Sequence, residues 1–241
     1  MTKLSVNINK IALLRNSRGR NFPDVAAFAA RCLDLGADGI TLHPRPDQRH
    51  ARYSDVVELQ AVCLAHGREL NVEGYPEGEF LDVVKRVRPA QCTLVPDAPG
   101  QLTSDHGWDI GRDAGLLGPV IADLKALGIR TSLFVDADCP GLEQARALGA
   151  DRVELYTEPY AENFGAATQA IIVEKFAETS ARAQALGLGV NAGHDLNLDN
   201  LAAFLAIPGI LEVSIGHALI AESLEMGIER VIAGYLAICR A

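Results

Sequence analysis

The sequence predicts an α/β fold, a closed (β/α)8 barrel in one domain covering residues 1–241. Three observations lead there: a repeated helix-ending dipeptide, an alternation of short strand-like runs with helical stretches, and long loops gathered at one end of the strands.

Leu35-Gly36, Leu127-Gly128, Leu148-Gly149 and Leu186-Gly187 each close an apolar-periodic segment and stand just before a β-branched run. Glycine there takes the left-handed conformation that ends a helix, so each pair marks a short helix-to-strand turn. The runs that follow such turns predict strands at residues 4–9, 39–43, 70–74, 92–97, 131–136, 152–156, 188–193 and 211–217. Helices are predicted between and after them, at about 23–35, 54–66, 78–87, 112–127, 140–148, 168–186, 198–206 and 217–239. Strands read as near-continuous apolar runs and separated by helices imply a parallel sheet covered by those helices, and the count of eight implies closure. An open doubly wound sheet is the alternative. The segments 44–53, 98–115 and 157–168 follow strands two, four and six, whereas the returns from helix to strand are tight. Long loops on one face of a rigid scaffold are where sites are built, in barrels at the C-terminal ends of the strands.

Apolar residues make up 49% of the chain and charged residues 22%, the balance of a soluble globular protein. A net charge of -9 lacks the basic footprint that nucleic acid or an anionic membrane requires. The N-terminus has no signal-peptide apolar region, and no apolar run reaches the roughly 18 residues of a membrane span, so a cytoplasmic location is expected. Cys32, Cys63, Cys92, Cys139 and Cys239 form no CxxC pair and read as reduced packing residues. No metal-ligand spacing, P-loop, GxSxG or GxGxxG is present, so neither a metal nor an organic cofactor is expected.

Asn7, His43, Glu73, Asp97, Asp136, Glu154, His194 and His217 fall at or just past the C-terminal ends of strands. One such residue is ordinarily a cap or a turn residue, but a ring of them faces a single mouth. His43 and Glu73 end neighbouring strands, and an imidazole beside a desolvated carboxyl suits proton transfer near neutrality. The other reading of Glu73 is a buried ion pair with an arginine. The segment IGHALI (215–220) runs from strand eight into the last helix. Gly216 and His217 therefore offer a phosphate the free N–H groups of a helix N-terminus. Arg15, Arg18 and Arg20, with Arg45 and Arg49, would gather positive charge at the rim, arginine gripping phosphate at two points; a solvated run is the alternative for Arg15 and Arg20.

The blocks VNINKIALLRNSRG (6–19), ADGITLHPRPDQRH (37–50), NVEG (71–74), LVPD (94–97), TSLFVDAD (131–138), VELYTEPYA (153–161), VNAGHD (190–195) and SIGHALI (214–220) occur in this order. Together they resemble the signature blocks of the pyridoxine 5'-phosphate synthase family along nearly the whole chain. The resemblance implies a (β/α)8 TIM barrel with additional helices, a homo-octamer and no cofactor. It implies condensation of 1-deoxy-D-xylulose 5-phosphate with 3-amino-2-oxopropyl phosphate to pyridoxine 5'-phosphate, phosphate and water.

Residue by residue, the resemblance makes His43 a proton acceptor, Glu73 a second acid-base group and His194 a proton donor. Asn7, Arg18, Gly216 and His217 would hold the amino-ketone phosphate; Arg45, His50 and Thr103 would hold the pentulose phosphate; Glu154 would face the reacting carbons. Asn9 and Lys10 stand where the family pattern has an Asp-His pair, and Asp195 where it has glycine. Lys10 would then act as a cationic substrate clamp, and Asp195 suits phosphate only through its backbone N–H or with its carboxylate turned away. Apart from the resemblance, the residues leave open another phosphosugar-barrel isomerase or epimerase, and a non-catalytic sugar-phosphate binder.

Overall fold

A computed structural model describes residues 1–97, 101 and 104–241. Eight parallel strands, β1 (Lys3–Asn7), β2 (Gly39–Leu42), β3 (Glu69–Gly74), β4 (Gln91–Leu94), β5 (Arg130–Val135), β6 (Arg152–Tyr156), β7 (Gly189–Gly193) and β8 (Ile210–Ile215), pair in chain order, and β8 returns to β1. The sheet is thus a closed barrel. An open doubly wound sheet would leave two edge strands, and this one has none.

Eleven helices surround it among the described residues: α1 (Asn9–Asn16), α2 (Val25–Asp34), α3 (Tyr53–Ala65), α4 (Gly78–Val87), α5 (Ile110–Ala126), α6 (Leu142–Leu148), α7 (Glu158–Glu162), α8 (Gln169–Ala185), α9 (Leu201–Phe204), α10 (His217–Met226) and α11 (Ile228–Arg240). The four Leu-Gly turns carry their glycines at positive φ, between 75° and 105°, as the helix-ending reading requires.

Three differences from the sequence reading have local causes. The first strand stops at Asn7, because the Asn7 side chain accepts the N–H of Asn9 and turns the chain into α1. The predicted long last helix breaks at Gly227, whose backbone (φ 82°, ψ 144°) is not helical. The predicted helix over 198–206 shortens to one turn, with Asn197 and Asn200 side chains bonding nearby N–H groups.

The strands are also not continuously apolar. Leu4, Val6, Ile40, Leu42, Val72, Leu94, Leu133, Val153, Val190 and Val213 point outward into the core that packs strands against helices. The opposite parity fills the barrel interior with polar groups: Ser5 bonds Thr41 (2.6 Å), Thr93 bonds Asn71 (3.0 Å), and Thr93 reaches across to Glu154 (3.5 Å). Barrel interiors are ordinarily packed with branched apolar side chains. Here period-2 alternation separates an apolar outer layer from a buried polar one.

All five cysteines are buried and free, consistent with packing roles. Arg15 is buried as well, paired through both nitrogens to Asp55 (2.6 and 2.9 Å) and bonded to the His50 carbonyl. It braces the segment between β2 and α3 instead of steering ligands from the rim.

Candidate active site

The end of β1 fixes the end of β2. Asn9, placed at the start of α1, accepts the backbone N–H of His43 on its Oδ1 (2.9 Å). The His43 ring is buried, with Nε2 at 3.7 Å from Asp97 Oδ2, and Asp97 also takes the Arg45 guanidinium and the Ser104 hydroxyl (2.9 Å). Burial, reinforced by Arg45, His50 and His194, holds the His43 pKa well below that of a free imidazole. At neutral pH His43 is therefore an uncharged base.

Glu73 is buried at the end of β3 and forms no ion pair with an arginine among the described residues. Burial, and then the Glu154 and Asp97 carboxylates, push its pKa well above the usual range. Glu154, on β6, is pushed up to about 8 by burial and by Glu212. Carboxyls with raised pKa values thus share the site with a neutral imidazole, the pairing that proton transfer in both directions needs. Gly193 makes room for this arrangement: a Cβ there would lie 2.7 Å from Glu154 Oε1.

His194 and Asp195 follow β7 with φ of 87° and 55°, a left-handed pair held by the Thr157 hydroxyl, which bonds the Gly193 carbonyl (2.6 Å) and the His194 carbonyl. That backbone explains why glycine suits position 195; aspartate is among the few side chains that tolerate it. The Asp195 side chain is exposed. The His194 ring packs between Phe134 (5.2 Å) and Tyr156 (5.3 Å), and burial pushes its pKa down to about 4. His50, pushed down to about 4 by burial, Arg45 and Arg49, accepts the Ala51 N–H on Nδ1 (2.9 Å), which leaves Nε2 as its proton-bearing nitrogen.

These groups line one cavity of about 360 Å³ at the C-terminal mouth of the barrel. Its wall brings together Asn7, Asn9, Lys10, His43, Arg45, His50, Glu73, Glu154, His194, Asp195, Gly216 and His217. Gly216 caps α10 with no side-chain partner, so the first-turn N–H groups are left for a ligand. Arg18 is not brought in: it is exposed beyond the end of α1. Thr103 lies outside the described residues.

Ser104, Glu158 and Ser214 line the cavity without having been singled out from the sequence. Ser214 was within reach of the strand rule, since it sits two residues before Gly216 on the inward parity of β8. Ser104 lies in a long loop and Glu158 opens the five-residue α7 within another long connection, both too short of regular structure for periodicity to assign a direction.

The family model of the pyridoxal phosphate biosynthesis protein PdxJ matches residues 4–241. The chain belongs to the PdxJ family. It is 54% identical over 245 residues to a pyridoxine 5'-phosphate synthase of Xanthomonas campestris pv. campestris (strain B100), covering 98% of this chain and 96% of that protein. A pyridoxine 5'-phosphate synthase of Albidiferax ferrireducens is also 54% identical, over 242 residues with the same coverage. Among solved structures, a thiamine phosphate pyrophosphorylase from Pyrococcus furiosus superposes with a TM-score of 0.63 over 99% of this chain and 95% of that one. At 15% identity that likeness concerns the barrel alone. In this PdxJ-family chain Asn9, Lys10 and Asp195, where the sequence reading expects other residues, all line the cavity.

Proposed function

We propose that the chain condenses 1-deoxy-D-xylulose 5-phosphate with 3-amino-2-oxopropyl phosphate, releasing pyridoxine 5'-phosphate, phosphate and water, by general acid-base catalysis without a metal or organic cofactor. The observation that carries this reading is the union in one cavity of a buried histidine, two buried glutamates whose pKa values are raised, and separate cationic and backbone N–H groups. Two phosphorylated substrates need two anion grips, and a condensation that forms an imine, expels phosphate and water and closes a ring needs proton transfers between them.

In this reading His43 takes a proton from the substrate and Glu73 returns one to a departing oxygen. Glu154 faces the reacting carbons as a neutral donor. His194 begins uncharged; two bound phosphates raise its pKa by simple Coulomb attraction, so that it donates a proton late in the reaction. Asn7 and the amides at Gly216 and His217 hold the amino-ketone phosphate, with Arg18 drawn in on binding. Arg45, His50, Thr103 and Lys10 hold the pentulose phosphate. The working form is a cytoplasmic homo-octamer, which light scattering on the purified protein tests.

The deciding experiment mixes the purified protein with both substrates and looks for pyridoxine 5'-phosphate by mass and absorbance, with single-substrate controls. A folded protein that gives no product, or that converts one substrate alone, overturns the proposal.

A further inference from the structure

A second cavity, of about 450 Å³, opens on the other side of Arg45, between the segment after β2 and the segment after β3. It shares His43 and Arg45 with the reaction cavity but is built differently. Its walls are aromatic. The Phe80 ring is buried against the end of β3, where a Cβ on Gly74 would lie 2.3 Å from it, so glycine is what admits the ring. Tyr75 stacks on Trp108 with ring centroids 5.8 Å apart and planes at 27°, which fixes the plane it presents.

Tyr53 is 92% buried and lines this cavity, yet its hydroxyl has no hydrogen-bond partner among the described residues. The ring is packed away while the hydroxyl stays accessible at the cavity, where a ligand or water can meet it.

The charges at the mouth are unbalanced in one direction. Arg45 is engaged by Asp97 and the Gln101 carbonyl, and Arg49 by Asp47 and that same carbonyl. Glu77 and Glu79, by contrast, are exposed at the mouth and pair with no cation among the described residues. Tyr53, Glu77 and Glu79 line one space, where burial raises the Tyr53 pKa and the carboxylates of Glu79 and Glu77 add to it.

We propose that this second cavity binds a small flat organic cation, an amidinium or ammonium group borne on an aromatic or short apolar body. The aromatic walls take the body and the face of a ring attracts the cation, while the Tyr53 oxygen accepts one N–H and the two glutamates supply the countercharge. An anion of the same shape meets two uncompensated carboxylates and is rejected.

The protein carries its own reporter, since Trp108 is the only tryptophan and stacks on the cavity wall. Benzamidine titrated into the intact protein at saturating inorganic phosphate should change Trp108 fluorescence saturably, with a dissociation constant on the order of a millimolar. Exposed carboxylates each contribute modestly, so the Glu77→Gln/Glu79→Gln double variant should weaken benzamidine about fivefold to tenfold, and neutral benzamide should bind the parent protein weaker by a similar factor. Tyr53→Phe should weaken it about threefold to tenfold, because the hydroxyl is the neutral acceptor at the cavity wall. Benzamide binding as tightly as benzamidine, or a double variant with unchanged affinity, overturns the proposal. So does displacement by phosphate, which would place the cation in the reaction cavity, and so does a titration with no saturation at tens of millimolar.

Discussion

Replacing Glu73 with glutamine separates two accounts of a buried carboxyl by moving stability and turnover in opposite directions. Burial and the neighbouring carboxylates Glu154 and Asp97 raise the Glu73 pKa well above its ordinary value of 4.5. A raised carboxyl contributes its stability fully below pH 4.5 and loses it as pH rises through the folded-state value. While the unfolded carboxyl is ionised and the folded one is not, the loss is about 1.4 kcal/mol per pH unit, so between pH 4.5 and 7 it reaches at most about 3 kcal/mol. Glutamine has nearly the same shape and nothing to ionise. Glu73→Gln should therefore match the parent near pH 4.5 and equal or exceed it at pH 7, by up to about 3 kcal/mol in urea titrations. Its kcat should meanwhile fall by roughly 100-fold or more, the usual scale for a positioned proton-transfer group. An ionised, ion-paired Glu73 gives the reverse, because breaking a buried pair costs about 3–5 kcal/mol. A variant that is several kcal/mol less stable at pH 7, or that keeps its turnover, refutes the assignment.

His43→Ala should stay folded and lose roughly 100-fold or more in kcat, measured on both substrates; near-normal turnover removes His43 from the chemistry. Stability should fall as pH rises from 6.5 to 8, by about 2 kcal/mol from Glu154 alone, and Glu154→Gln should flatten that slope in denaturant titrations. The lowered histidines do not cause it, since His50 and His194, at about 4, lose their contribution only as pH falls below 6.5. Lys10→Ala should weaken the pentulose phosphate about tenfold to a hundredfold by calorimetry, with less effect on the amino ketone, as loss of a charge-assisted hydrogen bond requires; equal affinities would make Lys10 a solvated surface residue. Inorganic phosphate should compete with substrate, and Gly216→Ala should relieve the competition, because the added Cβ would lie 3.2 Å from Asn7 Cβ and narrow the anion site; unchanged competition moves the phosphate elsewhere.

The barrel was legible because its signals are local and repeated. A glycine after a helix acts within one turn, and the four Leu-Gly pairs punctuate the chain whatever surrounds them. Most of the cavity lining was legible for a related reason: a barrel carries the C-terminal ends of all its strands to one mouth, so His43, Glu73, Glu154 and His194 could be named from position alone. The resemblance supplied roles for these residues, and the chain's own letters marked where it departs.

What the sequence could not decide depends on which distant groups share a space. It left Arg15 at the rim, but Asp55, forty positions away, draws it under the surface. It left Glu73 open between an ion pair and an acid, and only the burial of the carboxyl and the packing of Glu154 and Asp97 around it, which outweigh the attraction of Arg45, raise its pKa. The polar barrel interior, the break at Gly227 and the aromatic cavity beyond Arg45 are likewise tertiary facts. Local sequence fixes backbone conformation through forces that act over one turn, whereas burial and charge depend on neighbours that the chain brings together only when the barrel closes.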